Sequence, residues 1–105
     1  MIEILMDVES TGISPYNDEI IEAFFYIDES NSFYLKARPD NWSYEAQDIH
    51  KIPEHVAMAY PEKKVAYREL LKWLPQDFKF VTYANKNTEL GHINYDYAIL
   101  VNELN

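Results

Sequence analysis

Apolar and polar residues alternate from the first positions of the chain, with Ile2, Ile4 and Met6 set against Glu3, Leu5 and Asp7. A period of two with β-branched residues predicts a strand. Side chains at i and i+2 of a strand share a face, roughly 7 Å apart at ~3.3 Å rise per residue. Asp7 and Glu9 are therefore expected to project together from the strand's end, before Thr11-Gly12 turns the chain. Ser14 to Asp18 reads as a loop, and the nearly continuous apolar run Glu19 to Ile27 as a central strand. Asp28 to Asn31 is a polar turn and Ser32 to Ala37 the returning strand, which gives an antiparallel meander without a strong hairpin dipeptide.

The period then lengthens. Pro39-Asp40-Asn41 breaks the sheet, and Ser43 is a candidate N-cap for a short helix through Ile49, with Glu45 favourable in its first turn. Pro53 can begin a further helical turn. Between Pro61 and Pro75 a helix is predicted from Glu62 to Leu74, with Ala66, Leu70, Trp73 and Leu74 on one face. Lys79 to Ala84 is a short strand, and Tyr97, Leu100, Val101 and Leu104 form a helical stripe in the tail from Asn94. The order is βββ-α-β-α, with no repeat, low-complexity segment or linker. A strand following the helix can return parallel to the first strand by a right-handed crossover. That topology would bring Asp96, in the first turn of the tail helix, towards Asp7 and Glu9.

Length bounds this to one small domain over residues 1–105, and 48% hydrophobic residues provide enough apolar material for a core. The absence of cysteine excludes disulfides, thiolate zinc sites and cysteine nucleophiles. The N-terminus has no basic signal-peptide region, and no apolar run approaches the ~20 residues of a membrane span. A soluble cytoplasmic protein is the expectation. The net charge of −9 argues against broad nucleic-acid binding through Lys and Arg. It leaves a site whose cations supply the positive charge, a protein partner, or a chain that mimics an acidic polymer. Asp7 beside Glu9 suits a hard divalent cation such as Mg²⁺; a solvated pair at a fraying strand end is the plainer reading.

Three stretches carry a resemblance. Asp7 to Gly12, followed by Asp18-Glu19-Ile20-Ile21-Glu22, resembles the first motif of the DEDD 3′→5′ exonucleases. Ala46 to Ile52 resembles the segment between their first and second motifs, and Asn94 to Leu100 their second motif. The resemblance implies a ribonuclease-H-like mixed sheet, three antiparallel strands plus a parallel one with helices, in agreement with the βββ-α-β-α order. It also implies that Asp7, Glu9 and Asp96 are catalytic carboxylates binding two Mg²⁺ or Mn²⁺ ions. Thr11, Gly12, Ile49 and His50 would lie near the 3′-terminal nucleotide of single-stranded DNA or RNA.

The chain also departs from that pattern. The family's third motif, a fourth Asp preceded by His or Tyr, has no counterpart before Asn105, which implies a domain shortened at its C-terminus, a domain completed by another chain, or a fragment. Lys51 replaces the usual Gly, and Asn85 to Ile93 reads as an insertion; without a gap, Glu89 falls in the acidic slot. Asp96 is preferred because an apolar helical stripe follows it.

Other polar candidates have plainer readings. His92 could replace the missing base but suits a loop hydrogen bond better; His50 is a candidate substrate contact, and His55 is structural or exposed. Tyr83, Tyr95 and Trp42 could stack on bases, whereas Trp73 belongs to the core. Lys63, Lys64, Arg68 and Lys72 share a helix and read as a solvated face before a phosphate-binding one. The leading expectation is a metal-dependent 3′→5′ exonuclease using a two-metal mechanism. The alternatives are an inactive exonuclease-fold module that binds nucleic acid or a polymerase or other protein partner, and an acidic inhibitor. Uncovered apolar surface would favour self-association or a partner.

Overall fold

A computed structural model gives the fold and describes residues 1–12 and 17–82. The first strand, β1, runs Ile2–Ser10, longer than the alternating stretch alone required. It is followed by β2 (Ile20–Asp28), β3 (Asn31–Lys36), α1 (Tyr44–His50), α2 (Glu54–Ala57), α3 (Lys63–Trp73) and β4 (Phe78–Thr82). The sheet order is β3-β2-β1-β4, antiparallel except for β4, which lies parallel to β1 with Ile2 opposite Phe78. The meander and the parallel return therefore stand as read from the pattern.

The pleat sorts the side chains. Ile4 and Met6 of β1, Ala23 and Phe25 of β2 and Leu35 of β3 are buried on one face, where Ala66, Tyr67 and Leu70 of α3 cover them. Trp73 packs partly buried against Phe25 and Phe33, as its place on the helix stripe required. Tyr67 joins this core, although the predicted stripe did not include it. On the other face the register sets Asp7 opposite Phe24 and Glu9 opposite Glu22, while β3 brings Tyr34 beside Phe24.

Local chemistry explains the connections. Glu9 pairs with Glu22 but Ser10 pairs with Ile20, so Ile21 is an extra residue in β2 and both isoleucines are buried. The β2–β3 turn is held by Asp28, whose Oδ1 accepts the Ser30 N–H at 2.9 Å and the Asn31 side-chain amide at 3.0 Å. Such a carboxylate-closed turn needs no glycine dipeptide. Ser43 caps α1, its Oγ accepting the Ala46 N–H at 3.2 Å. The helix ends at Lys51, which is left-handed at φ 65° and donates its N–H to the Gln47 carbonyl. No helix among the described residues is long and apolar enough to cross a membrane.

Candidate active site

Asp7 and Glu9 stand on one face of β1 near its C-terminal end, Asp7 exposed and Glu9 partly buried. Burial, then the neighbouring charges of Asp7 and Glu22, push the Glu9 carboxyl above its ordinary value. Negative charge is therefore crowded at this point of the sheet. Glu22 is held between two phenols: its Oε1 accepts from the Tyr34 hydroxyl at 2.5 Å and its Oε2 from Tyr60. The hydrogen bond to Glu22, with burial, pushes the Tyr34 phenol up to about 12, so it remains a donor at neutral pH. Lys36 lies over the Tyr34 and Tyr60 rings at 5.2 and 5.6 Å from their centroids.

The turn after β1 is built from its own hydroxyls. Thr11 is 5% exposed; its N–H donates to the Glu19 carbonyl at 2.9 Å, and its Oγ1 accepts the Glu19 N–H at 2.9 Å and donates to Asp18 Oδ1 at 3.1 Å. Ser10 Oγ donates to the Gly12 carbonyl at 2.7 Å. A Cβ at Gly12 would lie 2.5–2.6 Å from the Asp18 carboxylate, which the Thr11 hydroxyl anchors, so only glycine fits without displacing it.

A cavity of about 310 Å³ opens beside this turn, with Glu9, Ser10 and Gly12 on one side and Ser43, Ile49 and His50 on the other. Ile49 is 79% exposed at its rim. His50 Nδ1 accepts the Ile52 N–H at 2.9 Å, so in the neutral ring the proton sits on Nε2. Burial lowers the His50 pKa, against the opposing pull of Glu22, and keeps the ring neutral. Its Nε2 is buried with no hydrogen-bond partner among the described residues. Trp42 meets the His50 ring edge-on and donates its indole N–H to Gln47, so it braces α1.

Asp96, Glu89, His92, Tyr83 and Tyr95 lie outside the described residues. His55 is exposed. The basic residues of α3 lie with the helix that covers the Ile4–Phe25–Leu35 face, opposite to Asp7 and Glu9. Lys63 pairs with Glu19 and Asp40, and Lys72 with Glu69. Pattern reading missed Tyr34 and Tyr60 as partners of Glu22. The alternation Glu22, Phe24, Tyr26 on β2 was the available signal for that face; nothing local signals Tyr60, 38 residues away from Glu22.

Among the described residues no group of three His, Cys, Asp or Glu side chains is placed to hold a metal ion. Asp7 and Glu9 nonetheless fit part of such a site: two hard oxygen donors from one strand, with the Glu9 charge disfavoured by burial and by the charges of Asp7 and Glu22, a condition a divalent cation relieves.

The sheet order, the parallel β4 and the helices define a ribonuclease-H-like α/β fold. Solved structures of exonuclease I share it. One exonuclease I structure matches 97% of this chain at a TM-score of 0.71 and 17% identity. The metal-free Escherichia coli exonuclease I–single-stranded DNA complex matches at 0.72 and 18%, and the zinc-bound form of that complex at 0.70 and 18%, each over 97% of this chain. The chain spans 23% of the length of each of these proteins. No protein-family model matches the chain, and no curated protein sequence matches it.

Proposed function

We propose that this chain is a metal-dependent 3′→5′ exonuclease module that hydrolyses phosphodiester bonds at the 3′ ends of single-stranded nucleic acid. The observation that carries the reading is the Asp7–Glu9 pair at the end of β1, beside a cavity walled by α1, in a fold shared with exonuclease I. The metal ligands would be Asp7, Glu9 and Asp96, with Glu89 the other candidate for the third position, and the ions Mg²⁺ or Mn²⁺. When bound, such ions supply a nucleophile at neutral pH and neutralise charge on the leaving oxygen.

The chain's own residues then bind and orient. Ile49 offers an apolar surface at the cavity rim to a terminal base, and the neutral His50 ring lines the same cavity. Gly12 lines the cavity, and Thr11, whose hydroxyl is engaged by Asp18 and Glu19, holds the turn that carries it. The deciding experiment incubates 5′-labelled single-stranded DNA and RNA with Mn²⁺, beside an Asp7→Ala protein. A ladder shortening from the 3′ end, lost in Asp7→Ala, is expected. Cleavage of equal rate by Asp7→Ala would sink the reading.

A second reading is a non-catalytic module that binds 3′ ends or a partner protein, which the exposed Phe24 and Tyr34 on the Asp7–Glu9 face would serve. It predicts binding equally supported by Ca²⁺ and Mg²⁺, with the labelled strand left intact.

A further inference from the structure

The residue just before β2, Glu19, carries a carboxylate that the chemistry above does not use. Glu19 is 7% exposed; with Thr11 it makes up the buried polar and charged residues among those described. Its Oε1 accepts the Asp40 N–H at 2.7 Å and contacts the Lys63 ammonium; its Oε2 accepts the Asn41 N–H at 2.9 Å. Its own N–H and carbonyl are closed by Thr11, at 2.9 Å each. One residue thereby ties three segments: the Thr11–Gly12 turn, the Asp40–Asn41 segment that leads into α1, and the first turn of α3.

The first two of those segments are the roots of the cavity's opposite walls. Ser10 and Gly12 belong to one, and Ser43, Ile49 and His50 to the other. Strand pairing at this position requires only the backbone of residue 19. The buried charge adds acceptors for two N–H groups, and Lys63 balances it from α3. Burial alone would raise the Glu19 carboxyl. The Asp40 N–H, Lys63 and the Asn41 N–H outweigh it and hold the group below its ordinary value, so it is charged at neutral pH.

We infer that Glu19 is a positioning residue that fixes the distance between the two walls of the cavity, and so the placement of a 3′-terminal nucleotide between the β1 turn and α1. The kinetic part of this inference rests on the exonuclease reading; the structural part does not.

The test compares Glu19→Gln and Lys63→Met with the unaltered chain, by amide hydrogen exchange and by KM and kcat on single-stranded DNA with Mn²⁺. The glutamine keeps the size but offers one acceptor oxygen to two N–H donors. Its exchange at Asp40, Asn41 and α1 is expected to rise about tenfold or more, as for a buried donor left unpaired. Amides of Phe25, Leu35 and Leu70 in the core are expected to stay unchanged. Lys63→Met keeps both N–H acceptors and is expected to give the same pattern at smaller amplitude, which decides the matter should Glu19→Gln not fold. In kinetics the signature is a raised KM with kcat largely kept.

Exchange that rises uniformly across core and α1 would make Glu19 a plain structural staple and overturn the inference, as would unchanged exchange in α1. A loss confined to kcat would overturn it as well. If the unaltered chain neither cuts nor binds DNA, the exonuclease reading fails, and the exchange pattern alone still decides the role of Glu19.

Discussion

Glu9 and Glu19 lie ten residues apart in sequence and respond to burial in opposite ways. Glu19 is buried against two N–H groups and an ammonium, and its charge is favoured. Glu9 is partly buried beside Asp7 and opposite Glu22, and its charge is disfavoured. A carboxyl raised in the folded state binds its proton more tightly there than in the unfolded chain. Stability then falls as pH rises from the ordinary carboxylate range through the raised value. Glu9→Gln removes that penalty. It is expected to raise the melting temperature at neutral pH by a few degrees and to leave it unchanged below the ordinary carboxylate range, which thermal unfolding across pH checks. A melting temperature lowered at neutral pH would mean that the Glu9 charge is favoured by a partner on this face. The spacing of Asp7 and Glu9 foretold their shared face, because a strand's period is two. The opposite signs of Glu9 and Glu19 were not legible, because they depend on burial and on groups brought in from β2, the Asp40–Asn41 segment and α3.

At the level of elements, local rules carried most of the fold. Alternation gave β1, the proline pair bounded α3, and Ser43 marked the start of α1, since each signal acts within a few residues. What escaped was non-local: the extra Ile21 in β2, the Tyr60 hydroxyl on Glu22, and the burial of Tyr67 beside Leu70. The exit from α1 gives an element-scale test. Lys51 occupies the left-handed region at φ 65°, where a Cβ meets the following carbonyl at a cost of ~1–2 kcal/mol. Lys51→Gly relieves that contact and increases the unfolded chain's freedom, so a net gain of about 0.5–1 kcal/mol is expected. Ser43→Ala, at the other end of the same helix, is expected to cost about 1 kcal/mol through loss of the Ala46 N–H acceptor. Denaturant midpoints measure both; a loss on Lys51→Gly would mean that the lysine side chain itself holds the α1 exit.

Over the whole molecule the net charge of −9 sets a condition on any nucleic-acid partner. A basic protein binds the phosphate backbone by releasing its counterions, and loses affinity as salt rises. Here the described basic residues of α3 lie away from the Asp7–Glu9 face and in part pair with acids, so α3 adds no cationic surface there, and Lys36 of β3 is the basic side chain described beside Glu22. Divalent ions at the paired carboxylates would have to reverse the local sign before a phosphate could approach. Removal of divalent ions with EDTA is therefore expected to weaken single-stranded DNA binding by at least about tenfold, ~1.4 kcal/mol. Asp7→Ala is expected to abolish that dependence by weakening the ion-loaded state. Anisotropy titrations of a labelled oligonucleotide in Mn²⁺, Ca²⁺ and EDTA measure it. Equal binding in all three would place the contact away from Asp7 and Glu9. The exposed aromatics Phe24 and Tyr34 on the same sheet face would then be the next surface to test, since stacking on bases needs no cation.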